Sequence, residues 1–240
     1  LSIAIKPRPQ RHASQPAATT FAPPTKKIEM FTTSHDNREI IENYIAQQFL
    51  LSHRATIRHF MPTLLSLSQG NKTLAALGLQ TASAQPLFLQ QYLDRRIDRC
   101  IATKAKTPVH LNQIVEIGNL VATQAGASQL LFILLTQVLS LAGYEWVAFT
   151  GTPVVKKSLE RFGFEFHSLG EATMDHLAPV NQLDWGSYYE QRPMVLAGNI
   201  SSGIRQLSTS RWSSTLALYR DEIAALAAAV GMRLNADVTT

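Results

Sequence analysis

The hydrophobic pattern changes period several times along the chain. Ile41, Tyr44, Ile45 and Phe49 recur at helical spacing within residues 37–50, which predicts one apolar helix face. Residues 54–67 are ambiguous, with a helical turn giving way to a strand around Met61 to Leu67. Gln69-Gly70-Asn71-Lys72 is a turn signal, and the small-residue strand Thr73 to Thr81 behind it predicts a hairpin. Gln90 to Ile101 reads as a helix. Gln113 to Ala122 reads as a strand, and Gly118 inside it marks a bulge or a close backbone approach. Ser128 to Ala142 is predicted helical and apolar on nearly every side, the pattern of a buried core helix. A strand at Glu145 to Thr150 precedes a helix at Pro153 to Phe162, with Pro at its start and Gly163 at its end. A strand at Phe164 to Leu169, a short helix at 171–178, a strand at Met194 to Gly198 and a helix at Thr215 to Val230 complete the reading. The order is mixed α/β, with no internal repeat of solenoid length.

Composition sets the boundaries. With 240 residues, 45% of them apolar, the chain can bury one sizeable core or two small ones. Its single cysteine, Cys100, excludes an internal disulfide framework and a Cys-based zinc cage. The net charge of +5 comes from Lys6, Arg8, Arg11, Lys26 and Lys27. The rest of the chain carries as many acidic as basic residues, so no nucleic-acid-binding surface is expected of the folded part. Residues 1–27 also hold Pro7, Pro9, Pro16, Pro23 and Pro24. They are read as a disordered leader without the apolar region of a secretory signal. Residues 28–200 are assigned to the main domain and 201–240 to a helical C-terminal extension. The most apolar run, Leu130 to Ala142, is too short for the roughly 20 residues of a membrane span. These features predict a cytoplasmic protein, with export by a route not visible in the sequence as the alternative.

Several chemistries are set aside. The histidines at 12, 35, 53, 59, 110, 167 and 176 form no HExxH or i, i+4 pair, so no metal site is expected. There is no G-x-S-x-G elbow. Gly151 to Ser158 approaches a phosphate loop, but Lys156 stands where the second glycine belongs and Pro153 removes an amide donor. More informative is the run Ile114 to Ser128: a strand ends, a short loop of small residues follows, and a helix begins. Amides at such a helix start can bind an anion, with Gly126 allowing close approach; equally, Gly126 simply starts the helix. The layout is similar to the pyrophosphate turn of GNAT-type acyltransferases, with Thr123 and Ser128 in the outer positions of a degenerate motif.

Four segments together resemble the thermostable hemolysin family: Leu87 to Asp94, Val115 to Leu120, Trp146 to Thr150 and Trp185-Gly186-Ser187-Tyr188-Tyr189. One departure is Gln90, where a Glu is expected. The resemblance implies kinship with GNAT-type acyltransferases and acyl-homoserine-lactone synthases. The implied fold is α/β, a mixed central sheet flanked by helices. In those synthases a strand Glu is followed by Ser-Arg. Glu116 matches the Glu, but Gly118-Asn119 replaces the pair, so a different substrate is implied.

The implied reaction moves an acyl group from a thioester, acyl-CoA or acyl carrier protein, to a small amine. No permanently bound cofactor is expected. Leu120, Ala122, Thr123, Gln124, Gly126, Ala127 and Ser128 are expected to hold the donor. Glu116 is the expected base, with its pKa raised in a partly dry cleft. Strand alternation alone would put it on an exposed polar face. Tyr188 or Tyr189 is the expected acid for the leaving thiolate, although an extended backbone would point them to opposite faces. Asn119, Thr150, Thr152 and Trp185 are expected to orient the substrate. Asn119 satisfying backbone at a bulge and Trp185 anchoring the core are the alternatives. A rival reading, a membrane-active cytolysin without catalysis, needs an amphipathic element. Leu216 to Val230 is the candidate, but its polar residues are an Arg-Asp-Glu cluster rather than a basic face.

Overall fold

The computed structural model describes residues 4–5, 26–83, 86–124, 126–178, 182–208 and 212–236. Its centre is one eight-stranded sheet: β1 (Ala4–Ile5), β2 (Lys26–Phe31), β3 (Thr63–Gln69), β4 (Lys72–Thr81), β5 (Ile114–Ala122), β6 (Trp146–Gly151), β7 (His167–Glu171) and β8 (Met194–Asn199). The main path runs β2-β3-β4-β5-β6-β8-β7, and β1 pairs with β5 off this path. The pairing β5–β6 is parallel and the other pairs of the main path are antiparallel. Lys26 and Lys27, assigned to the leader by composition, open β2. Ala4–Ile5, also in that segment, is strand, and residues 6–25 of the expected leader lie outside the described residues.

Helices cover both faces. On one lie α3 (Ala127–Leu141), α5 (Ile200–Ser208) and α7 (Arg220–Ala236). Eleven of the fifteen residues of α3 are buried, including Phe132, Leu134 and Leu139. On the other lie α1 (Arg38–His53) and α2 (Ile97–Ala105), with Ile41, Ile45, Phe49, Ile97 and Ile101 turned inward. α4 (Pro153–Glu160) begins with Thr152 capping and Pro at its first turn, as the sequence predicts. The C-terminal helical stretch is broken at Tyr219 into α6 (Ser213–Leu218) and α7. Ile223, Leu226, Ala227 and Val230 of α7 are buried in the same core as α3, so these apolar positions of the amphipathic candidate are covered within the chain, while Leu218 stays exposed.

Three readings are corrected. Gln90 to Ile101 is a 3-10 turn at Phe88–Tyr92, then a break, then α2. The Gln90 side chain takes the Ile97 N–H and donates to the Arg95 carbonyl, replacing helical bonds there. The strand expected at Phe164 to Leu169 forms later, at His167–Glu171, with a register shift between Ser168 and Gly170. The helix expected at 171–178 shrinks to a 3-10 turn, Met174–His176.

The sheet is opened in its middle. β5 and β6 are paired only from Ile114–Glu116 to Trp146–Ala148. Two residues further along β5 the register with β4 shifts, between the pairs Gly78–Gly118 and Ala76–Val121. Asn119 takes a φ of 52° there. The extra residue inverts the alternation of faces. Val115 and Ile117 lie on the α3 side before the bulge, and Leu120 and Ala122 lie on it afterwards. A parallel pair thus becomes a V whose inner edge is the second half of β5.

Candidate active site

Glu116 is the last β5 residue paired with β6. It is fully buried, on the face opposite α3 rather than on an exposed polar face. Its two carboxylate oxygens accept main-chain N–H groups from the 3-10 turn: Phe88 at 2.8 Å and Leu89 at 3.2 Å. These are unsatisfied donors at the start of a helical turn, a natural anion seat. Burial nevertheless pushes the carboxyl up to about 7, with the two N–H bonds pulling the other way. A carboxyl at that value is close to half-protonated at neutral pH.

The same turn carries Tyr92, whose hydroxyl meets the Tyr189 hydroxyl at 2.5 Å. Burial raises Tyr92, and the nearby Tyr189, Tyr188 and Glu116 raise it further. Burial pushes Tyr189 up to about 12. Tyr188 and Tyr189 are not extended. They belong to a run of tight turns, so their rings meet edge to face at 5.2 Å in one cluster. Trp185 packs on both, at 5.6 and 5.7 Å, and on Phe88 at 5.7 Å. Tyr188 is fully buried, against the His53 ring at 5.3 Å, whereas Tyr189 is half-buried. Gly186 clamps this segment to the end of α1. Its φ is +50°, and a Cβ there would lie 2.1 Å from the His53 carbonyl oxygen. Ser187 N–H donates to that carbonyl at 2.8 Å and Thr56 N–H to Asp184 O at 2.6 Å.

The remaining expected residues fall into two places. Leu120 and Ala122 lie on the opened half of β5, where Ala4–Ile5 pairs in parallel with Val121–Ala122. Thr123, Gln124 and Gly126 are exposed in the following loop, and Ala127 and Ser128 start α3. Thr123 Oγ1 shares a hydrogen bond with the Tyr44 hydroxyl at 3.2 Å. Asn119 sits inside the bulge and Thr150 is buried in β6. Thr152 spends its hydroxyl oxygen on the Val155 N–H, capping α4, which is a structural use. The sequence reading missed the Phe88 and Leu89 amides as partners of Glu116 and Tyr92 as the partner of Tyr189, although they lie inside the Leu87 to Asp94 segment. It also missed Arg38 and Met61, which brace the bulge.

The fold is of the acyl-homoserine-lactone-synthase type. It is similar to the AHL synthase LasI, at 11% identity and a TM-score of 0.50 over 74% of this chain and 91% of that one. It is also similar to TofI in an apo form, at 12% identity and 0.51 over 76% and 96%. TofI in a ternary complex with an inhibitor and MTA gives 11% and 0.52 over the same shares. The chain belongs to the thermostable hemolysin family, whose profile matches residues 31–204. Among curated proteins no sequence relative is found. No helix among the described residues is long and apolar enough to cross a membrane.

Proposed function

We propose that this chain is an acyltransferase that moves an acyl group from a thioester, acyl-CoA or acyl carrier protein, to a small amine. The observation that carries the reading is Glu116, fully buried at the root of the β5–β6 opening with its carboxyl raised to about 7. The amine nitrogen attacks the thioester carbonyl carbon, forming the C–N bond. Glu116 takes the proton the nitrogen sheds. The C–S bond then breaks, and the departing thiolate takes up that proton.

Tyr189 has a more limited part than a full acid. A phenol near 12 holds its proton more tightly than a thiol near 8.5. It therefore donates a hydrogen bond to the thiolate without surrendering the proton. The Tyr92–Tyr189 contact uses one of the two O–H groups, so the other remains to donate. Tyr188 and Trp185 form the wall behind. The opened edge of β5 receives the donor's pantetheine arm. That Ala4–Ile5 pairs there supports the reading, because it shows an extended backbone fits the edge. The start of α3, with Thr123, Gln124, Gly126, Ala127 and Ser128, faces the donor's phosphates.

The direct test is product analysis. Purified protein incubated with a long-chain acyl-CoA and a pool of amines should yield a new N-acyl amide by mass spectrometry. Release of free fatty acid alone, whatever amine is offered, would mean thioester hydrolysis instead.

A further inference from the structure

Asn119 is the one residue with a positive φ that lies inside a strand; Arg54, Lys106 and Arg192, the other non-glycine cases among the described residues, each close a helical turn. Left-handed backbone is tolerated by asparagine better than by most side chains. Asn119 is fully buried. Its Oδ1 accepts the Met61 N–H at 2.9 Å. The Met61 carbonyl is in turn held by Arg38 Nη2 at 2.6 Å, and the Pro62 carbonyl by Arg38 Nη1 at 2.8 Å. Gly78 makes room for this arrangement, since a Cβ there would come within 2.4 Å of Met61 Cβ and 3.0 Å of Asn119 Oδ1. The amide orientation is fixed by chemistry, because the reverse would set an NH2 against the Met61 N–H. With Oδ1 spent, Nδ2 presents its donors to no acceptor among the described residues.

Buried donors are nearly always satisfied, so an unsatisfied one on a strained residue points to a ligand. The location agrees. Asn119 lies between the last β5–β6 pair, Glu116–Ala148, and the first β1–β5 pair, Ala4–Val121. It therefore lies in the short stretch of β5 between the residues paired with β6 and those paired with β1.

We propose that Asn119 Nδ2 is the hydrogen-bond donor to the carbonyl oxygen of the acyl thioester, the oxygen that gains negative charge as the amine adds. This deepens the acyl-transfer reading and rests on it. Glu116 handles the proton of the attacking nitrogen, and Asn119, three residues on, handles the charge on oxygen. A donor fixed before substrate arrives, braced by Arg38 and Met61, has no reorganisation left to do when that charge develops.

The test uses the full chain labelled with 15N and two unreactive probes. One is a coenzyme A ketone, with CH2 in place of the thioester sulfur and the carbonyl retained. The other is an alkyl-coenzyme A thioether of equal length without the carbonyl. The Asn119 side-chain amide signal is assigned by its loss in Asn119→Asp. The ketone should shift this signal and bind about tenfold more tightly than the thioether, and the thioether should leave it in place. In turnover, Asn119→Asp keeps an oxygen for Met61 but loses the donor, so kcat should fall about 100-fold. Binding of both probes with the Asn119 signal unmoved overturns the inference and leaves the transferase reading intact. Failure of both probes to bind by calorimetry, whether carried on coenzyme A or on acyl carrier protein, overturns both.

Discussion

The Glu116 carboxylate and the main-chain N–H of Phe88 meet at 2.8 Å, joining β5 to a turn 28 positions earlier in the sequence. That contact fixes the turn that carries Tyr92, and through the Tyr92 hydroxyl it reaches Tyr189. A strand residue, a 3-10 turn and an aromatic loop far apart in sequence are thereby held in one place.

The pH dependence follows from the direction of the Glu116 shift. Its folded value, about 7, lies above the usual carboxyl value of 4.5. Between these two values the folded state binds more protons than the unfolded one, so stability falls as pH rises through that window. The loss amounts to about 3 kcal/mol at most. Glu116→Gln removes it. Denaturant unfolding at pH 5 and pH 8 should show the wild type losing stability relative to the Gln variant. Parallel curves would place the carboxyl at an ordinary value.

The same titration governs rate. A base must be ionised to accept a proton, so kcat/KM should climb with pH and level off above about 7. A profile flat from pH 5 to pH 8 would remove Glu116 from the proton path.

Gly186→Ala should be among the most damaging single changes. The added methyl meets main-chain atoms of His53 and Arg54, which cannot swing aside, and φ is already +50°. The expected loss is about 3 kcal/mol. In a protein of this size that lowers Tm by about 6–12 °C in a thermal melt. An unchanged Tm would mean that the 184–189 segment is not clamped to α1 as described.

The two tyrosines should separate in a phenylalanine test. Tyr189→Phe removes a hydrogen bond to the thiolate, which predicts a 10- to 100-fold drop in kcat, by about the strength of a bond to a charged group. Tyr188→Phe should change kcat by less than about threefold, because its fully buried ring serves as wall. The reverse order of effects, in steady-state kinetics with saturating donor, would exchange their roles.

If lysis of blood cells accompanies this chain, it should depend on a product. Purified protein without acyl donor should leave erythrocytes intact, and an extract of the complete reaction should lyse them. Lysis by donor-free protein would favour direct membrane action, despite the burial of Ile223, Leu226 and Val230 against the core.

Much of the scaffold was legible in the sequence because it is local. α1, the β3–β4 hairpin, β5, α3, β6 and the capped start of α4 follow from period, turn residues and Pro153. Gly118 flagged the bulge that opens the sheet. What was hidden depends on partners distant in the chain. Helical periodicity across Gln90 to Ile101 could not register that Glu116 captures two amides of that turn, or that Gln90 spends its amide on Arg95 and Ile97. Alternation along β5 put Glu116 outward because it assumed one face in water, whereas both faces are covered. An extended backbone would part the tyrosine pair, whereas 3-10 turns bring both rings to one side. β2 escaped notice because its first residues, Lys26 and Lys27, share the basic composition of the preceding segment.

Acyl transfer to an amine with Glu116 as base makes thiol release conditional on both. The measurement that tests it most directly is free-thiol release from long-chain acyl-CoA thioesters, with and without candidate amines, for the wild type and for Glu116→Gln checked as folded by circular dichroism. With Glu116 as base, release should depend on amine and be lost in the variant. Release indifferent to amine, or equal in both proteins, would contradict it.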